Sequence, residues 1–410
     1  MDNFNIDMER RQREKRSYKN GLLTGFLMGM GVFLLLLIGN GIVSNILGDK
    51  TDSVSLSEED LDSVNQKIKR IETYLDKYYM EDIDEEALVD GLYYGMTASL
   101  GDPYTGYYNQ EEYEKLEQSS NGEYCGIGVV VRQDTETNEI YVDRVYSNSP
   151  AMEAGIEEGD VIYSVDGELV EGLTMEELTA LVLGEKNTTF EMSVMREDEC
   201  LDFELTRREI TVDTVSYEMK EDKIGYIKIE EFDGVTAEQV EDAINDLNEQ
   251  GMESIIIDLR DNPGGRLDAL KHIAGMFLEE DKLLIYSKTK DGTRTDYYTE
   301  KEDIKLDIPM VVLVNEESAS AAEAFSGAMQ CYERAEIVGT TTFGKGIMQS
   351  IFPLEDGSAL KITIGKYYLP NDENIHKIGI TPDYEVENPE DSDENSEDLQ
   401  LEKAMDLLSE

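Results

Sequence analysis

The sequence is poor in the residues from which metal centres and nucleic-acid sites are built. Its 410 residues include two histidines, three cysteines and no tryptophan. No H-E-x-x-H pattern and no C-x-x-C pair occurs, which excludes the common zinc motifs. Lysine and arginine number 36 against 91 aspartate and glutamate, which gives a formal net charge of −55. So acidic a chain disfavours nucleic-acid binding, and we expect neither a metal ion nor any other cofactor.

The three cysteines, Cys125, Cys200 and Cys331, show no metal-binding spacing. Cys125 and Cys200 fall in one predicted domain, and the sequence leaves open whether they form a disulfide. Cys331 lies near the end of a predicted amphipathic helix over 320–332 and is expected to be buried.

One long uncharged segment, residues 21–47, stands near the N-terminus and is rich in Leu, Phe, Met and Gly. About 20 apolar residues cross a bilayer as a helix. Residues 1–20 form a basic tail, whose positive side chains are Arg10, Arg11, Arg13, Lys15, Arg16 and Lys19. Because positive residues stay in the cytoplasm, we expect a single-pass anchor whose N-terminus is cytoplasmic, with the bulk of the chain outside the cytoplasm. A cleaved signal peptide is the alternative, although no clear A-x-A site follows.

Residues 48–118 show helical periodicity. Apolar side chains recur every three or four residues at Leu61, Val64, Ile68, Ile71 and Leu75. Ser57 and Asp60 form a capping-box pattern before this helix, and a second helix is predicted over 87–100. Nothing in this region points to chemistry, so it is interpreted as a helical scaffold.

The composition changes twice more along the chain. Residues 119–207 show many short strands around one helix, 174–183, and residues 208–388 show alternating strands and helices. Residues 389–410 form an acidic tail that ends in a short helix. The predicted fold class is therefore multidomain α/β, with an N-terminal transmembrane helix, a helical segment and two further domains.

The strongest chemical signal lies in the α/β region. A buried strand at 311–314 leads through a polar turn to Ser320, at the start of a predicted helix over 320–332. Backbone amides at a helix N-terminus can hold the oxyanion that forms when a serine attacks a carbonyl. A serine needs a base, and Lys345 between two glycines is the best candidate if it is desolvated, since a lysine in water has a pKa near ~10.4. Gln349 could orient the amine.

The serine segment and the lysine segment are each a weak signal alone, because a serine at a helix start is usually a cap and Gly-Lys-Gly is usually a turn. Together, V-N-E-E-S-A-S-A-A-E at 314–323 and T-F-G-K-G-I-M-Q at 342–349 resemble the carboxyl-terminal processing peptidases, or tail-specific proteases. The resemblance implies a Ser/Lys dyad with Ser320, not Ser318, as nucleophile, Lys345 as base and Gln349 as its partner. Ala322 departs from the family pattern at a position without a catalytic role.

A second resemblance covers residues 119–207. The string A-G-I-E-E-G-D-V-I-Y-S-V-D-G at 154–167 is similar to bacterial PDZ domains, which bind peptide C-termini. The loop that would hold the terminal carboxylate comprises Gly126, Ile127, Gly128 and Val129. One departure is Leu183, where the family often has an arginine, so any switch that relies on that charge is in doubt.

The loop R-D-N-P-G-G at 260–265 follows a buried strand. It could be interpreted as a phosphate loop, but the Lys-Ser/Thr of such loops is missing. The family resemblance implies instead that it supplies an oxyanion donor from Gly264 or, preferably, Gly265, together with Ala321. It also implies a ββα protease domain of the crotonase/ClpP-like kind over residues 208–388. The family resemblance would also let helices of the 48–118 region pair two protomers.

The expectation is a membrane-anchored serine endopeptidase outside the cytoplasm that binds protein or peptide C-termini and cleaves upstream. A catalytically dead PDZ adaptor is the first alternative, and an acyl-CoA enzyme on a similar core is the second. The intact Ser320, Lys345 and Gln349 argue against the first, and the PDZ string and anchor against the second. The substrate, the cleavage preference and the activating signal are left open.

Overall fold

A computed structural model describes residues 57–134, 137–146, 149–197, 199–389 and 397–409. The predicted basic tail and anchor, residues 1–20 and 21–47, lie outside these ranges, as do residues 390–396 of the acidic tail. In the described ranges, no helix combines the length and the apolar character needed to cross a membrane.

The helices and strands are numbered in chain order. The helices are α1 (Glu58–Tyr78), α2 (Glu85–Ala98), α3 (Gln110–Ser120), α4 (Pro150–Ala154), α5 (Met175–Val182), α6 (Thr236–Glu249), α7 (Leu267–Gly275), α8 (Ala321–Cys331) and α9 (Leu399–Ser409). The strands are β1 (Gly106–Tyr108), β2 (Glu123–Gly126), β3 (Val129–Gln133), β4 (Ile140–Val145), β5 (Val161–Val165), β6 (Glu168–Leu169), β7 (Thr189–Arg196), β8 (Glu199–Thr206), β9 (Arg208–Thr211), β10 (Val215–Met219), β11 (Ile224–Ile229), β12 (Ser254–Asp258), β13 (Leu283–Thr289), β14 (Arg294–Tyr298), β15 (Met310–Val314), β16 (Glu336–Gly339), β17 (Ile347–Pro353), β18 (Ala359–Tyr368) and β19 (Tyr384–Glu385).

The chain forms two compact units. The smaller unit contains α1, α2, β1 and the segment 349–363, and the larger unit contains residues 114–348 and 364–409. In the smaller unit, α1 begins at the predicted capping box, with the Asp60 amide donating to Ser57 Oγ at 3.1 Å. No residue of α1 or α2 is buried, and several of their apolar side chains, among them Leu61, Val64 and Ile71, are exposed. β1 pairs antiparallel with the first residues of β18.

The first half of the larger unit is a small β-rich domain. β3, β4, β5, β7 and β8 form an antiparallel sheet in that order, and β2 pairs separately with β9. Its core contains Val142 and Val194 from the sheet, Ile127 from the loop before β3 and Leu178 from α5. The predicted helix at 174–183 is confirmed as α5, capped by Thr174. β3 pairs with β4 and ends the sheet, so its other edge is open to an added strand in the described part of this domain.

The second half is an α/β domain around the sheet β10-β11-β12-β15-β16-β19. β10 is antiparallel to β11, and the other neighbours are parallel. Because alternate strand residues face opposite sides, Ile255 and Ile257 pack against α6, α7 and α8, whereas Ile256 packs towards α9. The near-continuous apolar strands predicted from the sequence are those of a parallel sheet covered on both faces.

The structure answers one open question and corrects one expectation about cysteine. Cys125 and Cys200 are both free, because they lie on β2 and β8, which belong to different sheets. Cys331 was expected to be buried but is only partly covered, since it is the last residue of α8.

Candidate active site

The candidate site lies where four parallel strands end. β11, β12, β15 and β16 are neighbours in this order, and each is followed by a loop: 230–235, 259–266, 315–320 and 340–346. The carboxyl ends of parallel strands meet at one edge of a sheet, where open α/β folds place their ligands. The glycine loop, Ser320 and Lys345, far apart in sequence, are thereby brought to one edge.

Ser320 occupies a strained turn between β15 and α8. Its φ of 54° and ψ of −111° lie outside the conformations that a serine ordinarily adopts. The buried Tyr367 holds this turn by donating its hydroxyl to the Ser320 carbonyl at 3.1 Å. Burial raises the pKa of Tyr367 well above its ordinary value, so the phenol keeps its proton and stays a donor. A sharp, overdetermined turn of this kind fixes the direction of the serine side chain.

Ser318 has a different place in the same turn. It is fully buried and its hydroxyl donates to the Leu259 carbonyl at 2.7 Å, while accepting a hydrogen bond from the Asn315 amide at 2.9 Å. Ser318 therefore joins the β15 loop to the β12 loop. This geometry favours Ser320 over Ser318 as the reactive serine.

Asn262 organises the glycine loop from inside. Its side-chain Nδ2 donates to the Ile229 carbonyl at 2.6 Å, and its backbone carbonyl oxygen accepts from the Ala319 amide at 2.9 Å. Its Oδ1 accepts from the Gly264 amide at 2.7 Å. The Gly264 N–H, one of the two predicted loop donors, is thus already occupied within the protein.

Gly265 and Ala321 differ from Gly264 in this respect. Within the described residues, neither backbone N–H has a hydrogen-bond acceptor. Ala321 is the first residue of α8, where amides have no intrahelical partner and the helix dipole is positive. Of the predicted oxyanion donors, Gly265 and Ala321 therefore remain available.

Both glycines are required by close packing against this turn. A Cβ on Gly264 would lie 2.6 Å from Ala321 N and 2.8 Å from Ser320 Cβ. A Cβ on Gly265 would lie 2.2 Å from the Phe232 carbonyl oxygen. Their φ angles of 103° and 137° also favour glycine. The glycine loop can therefore approach the serine only without side chains.

Lys345 lies in the 340–346 loop and is only 2% exposed. Gly344 and Gly346 let the segment 376–379 pack against it, because a Cβ on either would lie within 3 Å of the Ile378 or His376 amide. The Lys377 amide also donates to the Gly344 carbonyl at 2.7 Å. The backbone of 376–379 is therefore packed tightly against the two glycines that flank the lysine.

A buried carboxylate links the lysine loop to the serine turn. Glu323 Oε2 accepts from the Ser320 amide at 2.9 Å and from the Lys345 amide at 2.8 Å. The two nitrogens share one acceptor atom, so they cannot lie farther apart than the sum of these distances. Ser320 and Lys345 thus meet in the fold.

Gln349 is 4% exposed and lies in the smaller unit, where its Nε2 donates to Thr363 Oγ1 at 3.4 Å. Its predicted role in orienting Lys345 stays a prediction.

The predicted carboxylate-binding loop precedes the open edge of β3. Gly128 has a φ of 78°, and a Cβ there would lie 2.3 Å from Ser149 Cβ. The Ile127 carbonyl accepts from Ala151 N, and the Gly128 carbonyl from Tyr146 N, both at 2.9 Å. In the described part of the chain, the Ile127 and Gly128 amides have no acceptor of their own. Such amides are suited to a terminal carboxylate.

A small depression beside Ser320 is almost entirely apolar. Its lining comprises Gly265, Leu267, Leu270, Ile285, Ser320, Ala321, Ala324 and Tyr367. It presents no charged group, so it suits an apolar side chain next to the serine.

Sequence reasoning missed four residues that shape the site: Asn262, Glu323, Thr342 and Tyr367. Glu323 stands three residues after Ser320, a capping-box spacing that could have drawn attention to it. Asn262 lies inside the quoted glycine loop. Tyr367 carried no signal, because it reaches the serine from β18.

Comparison with known proteins agrees with this architecture. The profile of peptidase family S41 matches residues 223–386, that of the PDZ domain matches 141–196, and that of the activating protease CtpB N-terminal domain matches 40–112. A solved structure from Bacteroides fragilis that carries the S41 protease name aligns with a TM-score of 0.50 at 18% identity, covering 76% of this chain and 87% of that one. At that identity it supports the fold alone.

Two curated relatives establish the family. The carboxyl-terminal-processing protease of Synechocystis is 36% identical over 323 residues, which cover 77% of this chain and 75% of the relative. Carboxy-terminal processing protease CtpA of Bacillus subtilis is 36% identical over 357 residues, 87% of this chain and 74% of the relative. The chain therefore belongs to the C-terminal processing peptidases, serine peptidases of family S41, and carries a PDZ domain and a CtpB-like N-terminal domain.

Proposed function

We propose that this peptidase uses a Ser320/Lys345 dyad to hydrolyse proteins whose free C-termini are held by its PDZ domain. The observation that carries the dyad is the shared acceptor, Glu323 Oε2, which brings the two backbone nitrogens together. Lys345 is 2% exposed, and desolvation of this kind favours the neutral amine that a general base requires.

The chemical steps follow from these positions. Ser320 Oγ attacks the scissile carbonyl carbon while Lys345 Nζ takes the hydroxyl proton. The Gly265 and Ala321 amides stabilise the oxyanion, helped by the N-terminal dipole of α8. Lys345 then gives the proton to the leaving amine, and the acyl group stays on Ser320. A water molecule, deprotonated by the same lysine, releases the acyl group and restores the serine.

Substrate capture is assigned to the loop 126–129 and the open edge of β3. The Ile127 and Gly128 amides would hold the terminal carboxylate, and the peptide would pair with β3 as an added strand. The experiment compares one unfolded substrate with a free and with an amidated C-terminus, using residues 48–410. We expect the amidated form to be cleaved at least about tenfold more slowly, because it cannot satisfy the carboxylate-binding loop. Equal rates for the two forms would contradict C-terminal capture.

Residues 21–47 are proposed to anchor the chain in the cell membrane, with the N-terminus in the cytoplasm and the peptidase outside. The support is the uncharged segment with a basic tail before it. Cys200 is free and exposed, so a membrane-impermeant maleimide applied to cells without their walls should label it. Cys200→Ser is the matched control. Labelling that requires prior lysis would contradict this orientation.

The helical N-terminal region is proposed to pair two copies of the chain. α1 exposes Leu61, Val64 and Ile71 to 46%, 44% and 51%, at helical spacings that place them on one stripe. A second copy can cover such a stripe with its own. Sedimentation of the full chain should give a dimer, and Val64→Glu with Ile71→Glu should give a monomer. A wild type that sediments as a monomer would contradict the pairing.

A further inference from the structure

Glu323 makes more bonds than a helix cap requires. It is fully buried at the third position of α8, where a glutamate ordinarily returns one hydrogen bond to the amide of the capping residue. Here the Ser320 amide makes that bond. Three further donors come from the lysine loop: Lys345 N at 2.8 Å, Gly344 N at 2.7 Å and Thr342 Oγ1 at 2.6 Å.

We propose that Glu323 is a positioning residue that fixes the general base relative to the nucleophile. This inference rests on the proposed dyad of Ser320 and Lys345. Oε2 accepts from the amides of both residues, and Oε1 accepts from the Thr342 hydroxyl and the Gly344 amide just before Lys345. The two segments are also joined by the Phe343 amide, which donates to the Ser318 carbonyl at 3.0 Å, but the position of Lys345 itself relative to Ser320 depends on the length and direction of the Glu323 side chain.

The chemistry of the donors suits a carboxylate at this point. Four N–H or O–H groups point at two oxygens, and an ionised carboxyl is the side chain that accepts without also donating. Burial raises the pKa of Glu323, whereas the four hydrogen bonds favour its charged form. A buried carboxylate is costly unless it is fully hydrogen-bonded, and this one is.

The lysine loop is also hydrogen-bonded on the side that faces away from Glu323. Thr342 Oγ1 accepts from the Ile380 amide at 2.7 Å, and the Thr342 amide donates to the Ile380 carbonyl at 3.1 Å. The lysine loop is thus held on one side by Glu323 and on the other by the segment that packs over Gly344. Loss of Glu323 would leave the loop joined to the serine turn by the bond from the Phe343 amide to the Ser318 carbonyl, at 3.0 Å, but would remove the bonds that hold Gly344 and Lys345 there.

Two substitutions separate the effect of the length of the Glu323 side chain from the effect of its charge. Glu323→Gln keeps the length of the side chain and one acceptor oxygen, but it loses the charge. Glu323→Asp keeps the charge but is one methylene shorter, so it cannot reach both the serine turn and the lysine loop. If position is what matters, Gln should retain more activity than Asp.

The experiment measures kcat and KM of the full chain with an unfolded substrate, beside Ser320→Ala. We expect Glu323→Ala and Glu323→Asp to lower kcat about 100-fold, since small misplacements of reacting groups cost this much. We expect Glu323→Gln to lower kcat about tenfold, with KM within about threefold of wild type in every case. Asp60→Asn is the matched control, because Asp60 occupies the same position of the exposed capping box on α1.

A second readout does not depend on catalysis. Amide hydrogen exchange of the 340–346 loop should become faster in Glu323→Ala and Glu323→Asp, but not in Asp60→Asn. A wild type that cleaves nothing would contradict the proposed function, and the exchange data would still decide the inference. Unchanged loop exchange, or an Asp variant as active as the Gln variant, would overturn the positioning role.

Discussion

The glycine loop offers a sharp test of the oxyanion assignment through Gly265→Ala. A Cβ at this position would stand 2.2 Å from the Phe232 carbonyl oxygen and 2.7 Å from its carbon, both backbone atoms. The contact is flanked by two hydrogen bonds, Phe232 N to Gly264 O at 2.7 Å and Arg266 N to Phe232 O at 2.6 Å. Because these hydrogen bonds hold the Phe232 backbone in place, the new Cβ can be accommodated only if the Gly265 amide moves.

Two costs follow, and they fall on different measurements. A non-glycine residue at a φ of 137° carries strain of about 1–3 kcal/mol, which lowers the free energy of unfolding. Loss of one oxyanion donor lowers kcat by about 10²–10³-fold, or about 2.7–4 kcal/mol. The first cost belongs to any positive-φ position, but the second belongs to the Gly265 amide alone.

Gly292→Ala is the matched control for strain. Gly292 has a φ of 85° in the turn between β13 and β14, and a Cβ there would meet no atom within 4 Å. Steady-state kinetics and thermal unfolding are measured on both variants. We expect both to be destabilised and only Gly265→Ala to lose kcat. A folded Gly265→Ala enzyme with the kcat of the control would refute the placement of the oxyanion hole.

Three further predictions use other parts of the chain. Ala324→Leu should fill the depression beside Ser320 and lower kcat/KM for substrates with a large apolar residue before the cut about tenfold more than for substrates with alanine there. Lys361→Met should raise stability to denaturant at pH 7 by about 3 kcal/mol, because burial lowers the pKa of Lys361 from 10.5 to about 8. Glu231→Gln should stabilise the protein more at pH 8 than at pH 5, because burial first and Asp233 second raise the pKa of Glu231.

The signs of the two pH effects are opposite. Between pH 8 and 10.5 the folded state binds fewer protons at Lys361 than the unfolded state, so wild-type stability rises with pH there and the advantage of Met shrinks. At Glu231 the folded state binds more protons, so wild-type stability falls as pH rises above the ordinary carboxyl range. A pH-independent gain in either variant would contradict the corresponding assignment. For Ala324→Leu, an equal loss of kcat/KM for all substrates would contradict the assignment of the depression as the pocket for an apolar side chain.

The sequence predicted the strands and helices of the α/β domain because their signals are local. Runs such as 255–259 and 311–314 are apolar throughout, as parallel strands covered on both faces must be, and the structure has strands at 254–258 and 310–314. The caps at Ser57 and Thr174 were also readable, since a capping box spans four residues. These elements place Ser320 and Lys345 at one edge of the sheet.

The rest of the site depends on contacts that local patterns do not encode. Tyr367 and Ser320 meet only when β18 folds back, and the use of the Gly264 amide by Asn262 follows from the three-dimensional course of the loop. Glu323 carried the spacing of an ordinary cap, so its three bonds to the lysine loop could not be foreseen. The same holds for the cysteines, whose separation reflects the division into two sheets.

The most direct test of the central claim is proteolysis of an unfolded protein by wild type, Ser320→Ala and Lys345→Ala. Thermal unfolding of all three shows that the fold is retained, and the cleavage products are followed over time. The account predicts cleavage by wild type and none by either folded variant, because the serine supplies the nucleophile and the lysine its base. Cleavage by folded Lys345→Ala at the wild-type rate would contradict the dyad.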